Sequence, residues 1–202
     1  MQFNVSSFLS TQAKRNPEAK AIVYPFKPYF WARKSYTDLS FSELNTRVDA
    51  LMHQFLSSGV ERGTRVLLMV KPGLELIQIV FALLKLGAVP VVIDPGMGLG
   101  RFFECAKQSK VRVIIGGTIA ITLAKWFLRT HACVKNAITV NAKFKRKLKK
   151  HFRVHSYDAY EAGADDLAAV LFTSGSTGQA KGVCYTHSLF FAHTQLLKQA
   201  YR

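Results

Sequence analysis

The sequence predicts an α/β fold, a mostly parallel sheet with helices on both faces. Two observations predict it. Short runs rich in Val, Ile and Leu alternate along the 202 residues with longer segments of helical periodicity. Glycine and proline punctuate the changeovers, at Gly59, at Pro72–Gly73 and from Gly87 to Pro90.

Each element has its own signal. Ser10 or Thr11 is placed to cap a short helix, and Ala21 to Tyr24 reads as a short strand. Pro25, Pro28 and the aromatics between them suggest a loop. Ser40 and Glu43 then form a capping-box pattern, in which each side chain satisfies a free amide of the first helical turn. Leu44, Val48, Leu51, Met52, Phe55 and Leu56 follow at helical spacing, and Gly59 is suited to end the helix in a left-handed conformation.

Arg65 to Val70 reads as a buried strand, and Pro72 and Gly73 make the turn into a helix from Leu74 to Leu86. The non-aliphatic positions of that helix are Glu75, Gln78, Ala82 and Lys85, which share one narrow stripe. The remaining surface must face protein, so the helix is expected between two layers. Gly87 ends it, and Val89 to Ile93 is the next buried strand. The alternation continues with a helix from Leu99 to Gln108, a strand from Val111 to Ile115 and a helix from Thr118 to Arg129. Ala137 to Val140 and Ala168 to Phe172 are further strands, and Ser188 to Tyr201 is helical. Parallel neighbours require right-handed crossovers.

Composition narrows the class. With 49% apolar and 20% charged residues, wholesale disorder is excluded. The apolar stretch from Leu74 to Ile93 is interrupted by Glu75, Gln78, Lys85 and Pro90, so it does not read as a membrane span. Cys105, Cys133 and Cys184 lie far apart and give neither a disulfide framework nor a zinc spacing. They fit a reducing compartment as small core groups. The N-terminus lacks the basic-then-apolar order of a signal peptide. A cytoplasmic protein is expected.

The sharpest chemical feature runs from Leu171 to Val183. Thr173, Ser174, Ser176 and Thr177 offer hydroxyl groups, and Gly175 and Gly178 let backbone amides approach an anion. Lys181 adds a point charge suited to phosphate oxygens. Such a loop can wrap a polyphosphate, and the bland alternative is a polar connection between two elements. It is not an ordinary P-loop, because Gly178 is followed by Gln179, Ala180, Lys181 and Gly182 rather than by Lys-Ser/Thr.

The string Thr173-Ser-Gly-Ser-Thr-Gly-Gln-Ala-Lys-Gly182 resembles the phosphate-loop signature of the adenylate-forming superfamily, which includes acyl-CoA synthetases, peptide-synthetase adenylation domains and firefly luciferase. Ala180 departs from it, where proline is commoner. Two upstream stretches match in order. Leu39-Ser-Phe-Ser-Glu-Leu44 resembles the early helix-start motif, and Leu84 to Pro95 resembles the second core motif. The resemblance covers roughly residues 5 to 200. The stretch from Ile93 to Gly98 is similar to the fatty-acyl branch, and within it to the β-lactone synthetases of olefin biosynthesis.

The resemblance implies an acid–thiol type ligase in which a carboxylate, here a fatty acid, attacks the α-phosphorus of ATP. The acyl-adenylate then passes its acyl group to coenzyme A, or closes a β-lactone. By the same match, Thr173, Ser174, Gly175, Ser176, Thr177, Gly178 and Lys181 hold the β,γ-phosphates, and Lys181 is the catalytic cation. Members of the superfamily carry further parts after this loop: an aromatic-x-Thr-Glu motif for adenine and Mg²⁺, an aspartate for the ribose, and a mobile domain with a catalytic lysine. From residue 167 onward this sequence has no Asp or Glu, so no Mg²⁺ ligand follows the loop. Residues 1–202 are therefore expected to be a partial N-terminal domain of the adenylate-forming fold without its C-terminal lid, inactive alone or completed by a partner chain. An incomplete sheet edge and exposed apolar faces then predict self-association.

Lys and Arg total 28 against 12 Asp and Glu, a net charge of +16. Seven of the basic residues lie between Lys143 and Arg153, with Phe144, Leu148 and Phe152 at every fourth position. As a helix this is a basic amphipathic ribbon. It is a solvated connection with its aromatics tucked in, a peripheral contact with anionic membrane, or a grip on nucleic acid, which is the least expected of the three. The alternatives to an acyl-activating enzyme are correspondingly a non-catalytic basic module or a subunit that regulates a partner ligase.

The remaining candidates are weaker. His187 either lines the nucleotide or acyl pocket or merely begins a helix. His53, His131, His151, His155 and His193 form no metal spacing. Asp94, before Pro95, reads as a turn former, and Cys184 as a packed thiol.

Overall fold

A computed structural model describes residues 3–26, 35–128, 134–150, 156–173 and 181–200. The chain begins with helix α1 (Ser6–Arg15) and an antiparallel pair, β1 (Lys20–Phe26) with β2 (Ser35–Ser40). Helix α2 (Phe41–Ser57), strand β3 (Arg65–Met69), helix α3 (Leu74–Leu86) and strand β4 (Val89–Ile93) follow. After a short 3-10 turn come α4 (Leu99–Gln108), β5 (Val113–Gly116), α5 (Thr118–Leu128), β6 (Asn136–Thr139) and α6 (Ala142–Lys150). Strands β7 (Leu167–Thr173) and β8 (Lys181–Thr186) and helix α7 (His187–Ala200) complete it.

The main sheet has six strands in the order β6-β5-β3-β4-β7-β8. All neighbours are parallel except β8, which runs antiparallel to β7. The step from β3 to β4 goes one way and the chain then returns past β3 to β5. Right-handed crossovers therefore put α3 and α4 on opposite faces. Alternation along β3 follows suit. Val66 and Leu68 join a core with α2, α3 and α6, while Leu67 joins a second core with α4 and α5. Each fully buried side chain of this kind, such as Phe55 or Ile114, contributes about 1.5–3 kcal/mol.

The capping box at α2 forms as the sequence predicts. The Glu43 amide donates to Ser40 Oγ at 3.2 Å and the Ser40 amide to Glu43 Oε2 at 3.0 Å. Gly59 and Gly87 both adopt positive φ, +75° and +81°. At Gly87 a Cβ would also lie 2.8 Å from the Tyr160 ring.

Three local expectations are corrected. Helix α1 starts at Ser6, so Ser10 and Thr11 are internal; its first turn is held instead by Asn4, fully buried, whose Oδ1 accepts from the Ser6 amide at 3.1 Å. The Asn4 amide nitrogen donates to the carbonyls of Leu84 and Tyr160, tying the N-terminus to the end of α3. Strand β2 has no apolar run, and it forms by pairing with β1, where Pro25 sits opposite Tyr36 in a two-stranded ribbon that tolerates a missing amide. Finally, the polar stripe of α3 faces inward: Gln78, Ala82 and Lys85 are 6%, 0% and 0% exposed, whereas Ile77, Val80 and Phe81 are half-buried. The inward stripe is possible because Lys85 meets Asp49 of α2.

Candidate phosphate-binding site

Strand β7 is apolar because it lies inside the sheet, with β4 on one side and β8 on the other. Ala168, Ala169, Val170 and Phe172 are buried along it. Its pairing with β4 puts Ile93 opposite Phe172, so β7 ends at the carboxyl edge of the parallel strands. Open α/β sheets bind ligands at that edge.

The chain does not pass from β7 through a loop into a helix. It returns first as β8, pairing Thr173 with Lys181, Phe172 with Gly182 and Leu171 with Val183. Strands β7 and β8 are thus antiparallel neighbours, and Thr173 and Lys181, which flank the glycine- and hydroxyl-rich string, are their last described pair. Ser174, Gly175, Ser176, Thr177 and Gly178 lie outside the described residues. The Lys181 side chain is exposed at the mouth. Strand β8 escapes a sequence reading because it is short, contains a glycine and follows a motif that draws attention to phosphate chemistry rather than pairing.

Gly182 has a packing reason to be glycine. A Cβ there would lie 2.7 Å from the Phe172 ring, which belongs to the core beneath α4 and α5. The ring occupies the space that a side chain at position 182 would take, and this fixes the hairpin base against the sheet.

Asp94 is a turn former, as expected. Its Oδ1 accepts from the Gly96 amide at 2.8 Å and caps the 3-10 turn of Pro95–Met97 just beyond β4. His187 begins α7 and is buried. The six residues of β8 carry the chain away from the mouth, about 20 Å at the usual rise, before α7 begins at His187. His187 is 1% exposed, and its amide donates to the Asp166 carbonyl at 3.0 Å. Burial pushes its imidazole below the ordinary range, against the opposing pull of the Asp166 carboxylate.

The far end of the hairpin is anchored by a cluster that sequence spacing does not show. The Tyr160 hydroxyl donates to Asp166 Oδ2 at 2.5 Å and the Gly163 amide to the same oxygen at 3.0 Å. Both bonds hold the Asp166 carboxyl below the usual range. The Arg62 guanidinium lies 3.7 Å from Asp166 and 4.0 Å above the Tyr160 ring. Tyr160, Gly163 and Asp166 are near one another in the sequence, and the fold brings the distant Arg62 to them.

Cys184 is exposed on β8 rather than packed, and Cys105 is buried. Cys133, His131, His151 and His155 lie outside the described residues. His53 Nδ1 is 2.8 Å from the Tyr157 hydroxyl. Among the described residues no cluster of His, Cys, Asp or Glu is suited to a metal ion, and no helix is long and apolar enough to cross a membrane.

The sheet order, the helices on both faces and the β7–β8 hairpin define the α/β fold of the N-terminal domain of adenylate-forming enzymes. Residues 9–201 match the AMP-binding enzyme family, and the chain belongs to it. It is 33% identical to the olefin beta-lactone synthetase of Xanthomonas campestris pv. campestris, over 98% of this chain and 37% of that protein. Identity to the olefin beta-lactone synthetase of Stenotrophomonas maltophilia is 32%, with the same coverage. The chain thus spans about 37% of the length of these curated relatives. Among solved structures, a long-chain-fatty-acid-CoA ligase from Archaeoglobus fulgidus shares the fold with a TM-score of 0.76 at 19% identity, over 98% of this chain and 38% of that one.

Proposed function

We propose that these residues supply the phosphate-binding part of an ATP-dependent enzyme that activates a carboxylic acid, a fatty acid by the motif resemblance of Ile93 to Gly98, as its acyl-adenylate. The observation that supports the reading is the Thr173–Lys181 pair at the carboxyl edge of the sheet, the two described residues that flank the hydroxyl-rich string. The substrate carboxylate oxygen bonds to the α-phosphorus of ATP, the bond to the β-phosphate oxygen breaks, and pyrophosphate leaves with the electron pair. Negative charge therefore grows on the β,γ-phosphates. The Lys181 ammonium meets it there, with the hydroxyl and amide groups of Thr173 to Gly178. The sulfur of coenzyme A, or the substrate's own β-hydroxyl oxygen to close a β-lactone, then bonds to the acyl carbon as the acyl–phosphate bond breaks, AMP leaves with the electron pair and the nucleophile's proton goes to solvent.

The exposed Lys181 at the base of this hairpin suits the phosphates of ATP. Mg²⁺ does not fit the residues present: β7, β8 and α7 contain no carboxylate, and the neighbouring Asp94 is committed to its turn. The metal's ligands and the adenine and ribose contacts belong to residues beyond these 202, in the same polypeptide or in a complementing chain. The enzyme on this reading is cytoplasmic.

The test is ATP–pyrophosphate exchange with a long-chain fatty acid. Residues 1–202 alone are expected to give none. A fusion to the portion that follows the hairpin helix in the Xanthomonas campestris relative is expected to exchange, and Lys181→Ala in that fusion to lower the rate by about a hundredfold or more. Exchange by the fusion that is indifferent to Lys181→Ala contradicts the reading.

A further inference from the structure

Helix α6 carries six Lys or Arg residues in nine positions, Lys143, Lys145, Arg146, Lys147, Lys149 and Lys150, and no acid. The fold decides what this charge can do. The Asn141 side chain caps the helix by accepting from the Phe144 amide at 2.9 Å. Phe144 and Leu148 are each 8% exposed and join the core formed with α2 and α3. The apolar stripe is therefore spent inside the protein, and the helix has no greasy face left to insert into a bilayer. Lys143, Lys145 and Arg146 are exposed. Lys145 pairs with Glu75 of α3, which pins the helix to the body of the domain. The result is a fixed cationic face rather than a flexible tail.

We propose that this face is an electrostatic docking surface for an anionic lipid bilayer. Clusters of four to eight Lys and Arg residues attract acidic lipid, each contributing roughly a fivefold gain in partition. Because α6 is held by its core contacts, Lys143, Lys145 and Arg146 are presented with no further ordering cost. Two observations favour a bilayer over nucleic acid. No aromatic side chain described on α6 is exposed for stacking on bases, since Phe144 is buried. A recess of about 150 Å³ also opens beside the helix, lined by Leu51, Leu74, Val140 and Phe144 together with Arg47 and the Lys145–Glu75 pair. A mostly apolar recess beside exposed cations suits the amphipathic boundary of a lipid layer, and a phosphate backbone has nothing to place in it. The inference is independent of the phosphate-binding reading, because it uses a different face of the fold.

The experiment is flotation of the protein with phosphatidylcholine vesicles, with and without phosphatidylglycerol. The anionic vesicles are expected to carry the protein at about 0.1 M salt and to release it at about 1 M, where the Debye length falls to about 3 Å. Lys143→Glu with Arg146→Glu is expected to weaken partition at least about tenfold. Arg101→Glu with Lys107→Glu makes the same change in net charge on exposed positions of α4 and is expected to weaken it far less. Circular dichroism melting of both double variants checks that each is folded. Equal loss in the two variants, equal binding to neutral vesicles, or binding to duplex DNA without binding to anionic vesicles overturns the proposal.

Discussion

Lys85 of α3 and Asp49 of α2 form an ion pair inside the helical layer, with Nζ 2.5 Å from Oδ1 and side-chain exposures of 0% and 5%. Asn45 completes it, accepting from Lys85 at 3.2 Å and donating to Asp49 Oδ2 at 3.1 Å. Burial pushes the Asp49 carboxyl above its ordinary value, and the Lys85 ammonium opposes this. The pair fixes how α2 crosses α3, and therefore how the outer helices sit on the sheet.

Breaking one partner strands the other charge. Lys85→Ala or Asp49→Ala is expected to cost about 3–5 kcal/mol in denaturant unfolding, because a buried charge loses its counter-ion. The double variant Lys85→Met with Asp49→Leu is expected to recover most of that loss. Single and double variants that are equally destabilised would show that packing, not charge pairing, holds this crossing.

This pair also marks where the sequence was legible and where it was not. Strand β4 and helix α4 lie where their apolar spacing predicts, and the Ser40–Glu43 capping box forms, because those signals are local. The spacing of Glu75, Gln78, Ala82 and Lys85 was equally legible, but its direction was not. A polar stripe faces solvent unless a remote partner exists, and Asp49 lies far back in the chain. The same limit applies to the hairpin. The hydroxyl- and glycine-rich string was readable, whereas its return as β8 depends on pairing with β7. The Arg62–Tyr160–Asp166 anchor has no sequence signature.

His187 gives stability a pH dependence of definite sign. Burial holds the proton affinity of its imidazole below the ordinary 6.5 in the fold, against the pull of Asp166. Below 6.5 the unfolded chain binds the proton more readily, so folding stability falls as pH drops, by up to about 1.4 kcal/mol per pH unit. Above 6.5 the group contributes no dependence. The facing Asp166, lowered from 3.8, acts in a separate and more acidic window, where its stabilisation is lost as it protonates. His187→Gln is expected to flatten the unfolding profile just below 6.5. Parallel profiles for the two proteins would refute the assignment.

Gly182→Ala tests the hairpin base. The added methyl meets the Phe172 ring at 2.7 Å, so the ring or the strand must move. The expected cost is about 1–3 kcal/mol in thermal or denaturant unfolding. Phe172→Leu in the same chain frees the space and is expected to return part of it. No cost from Gly182→Ala alone would mean that the contact is slack.

The account depends most on the hairpin tip and Lys181 holding the phosphates of a nucleotide. The most direct measurement is calorimetric titration of the folded chain and of its Lys181→Ala variant with ATP, each repeated with pyrophosphate present. The expected result is saturable binding that pyrophosphate competes away and that Lys181→Ala weakens at least about tenfold, the usual worth of a charge-assisted contact. Binding of equal strength in both proteins, or binding that pyrophosphate leaves untouched, would contradict it.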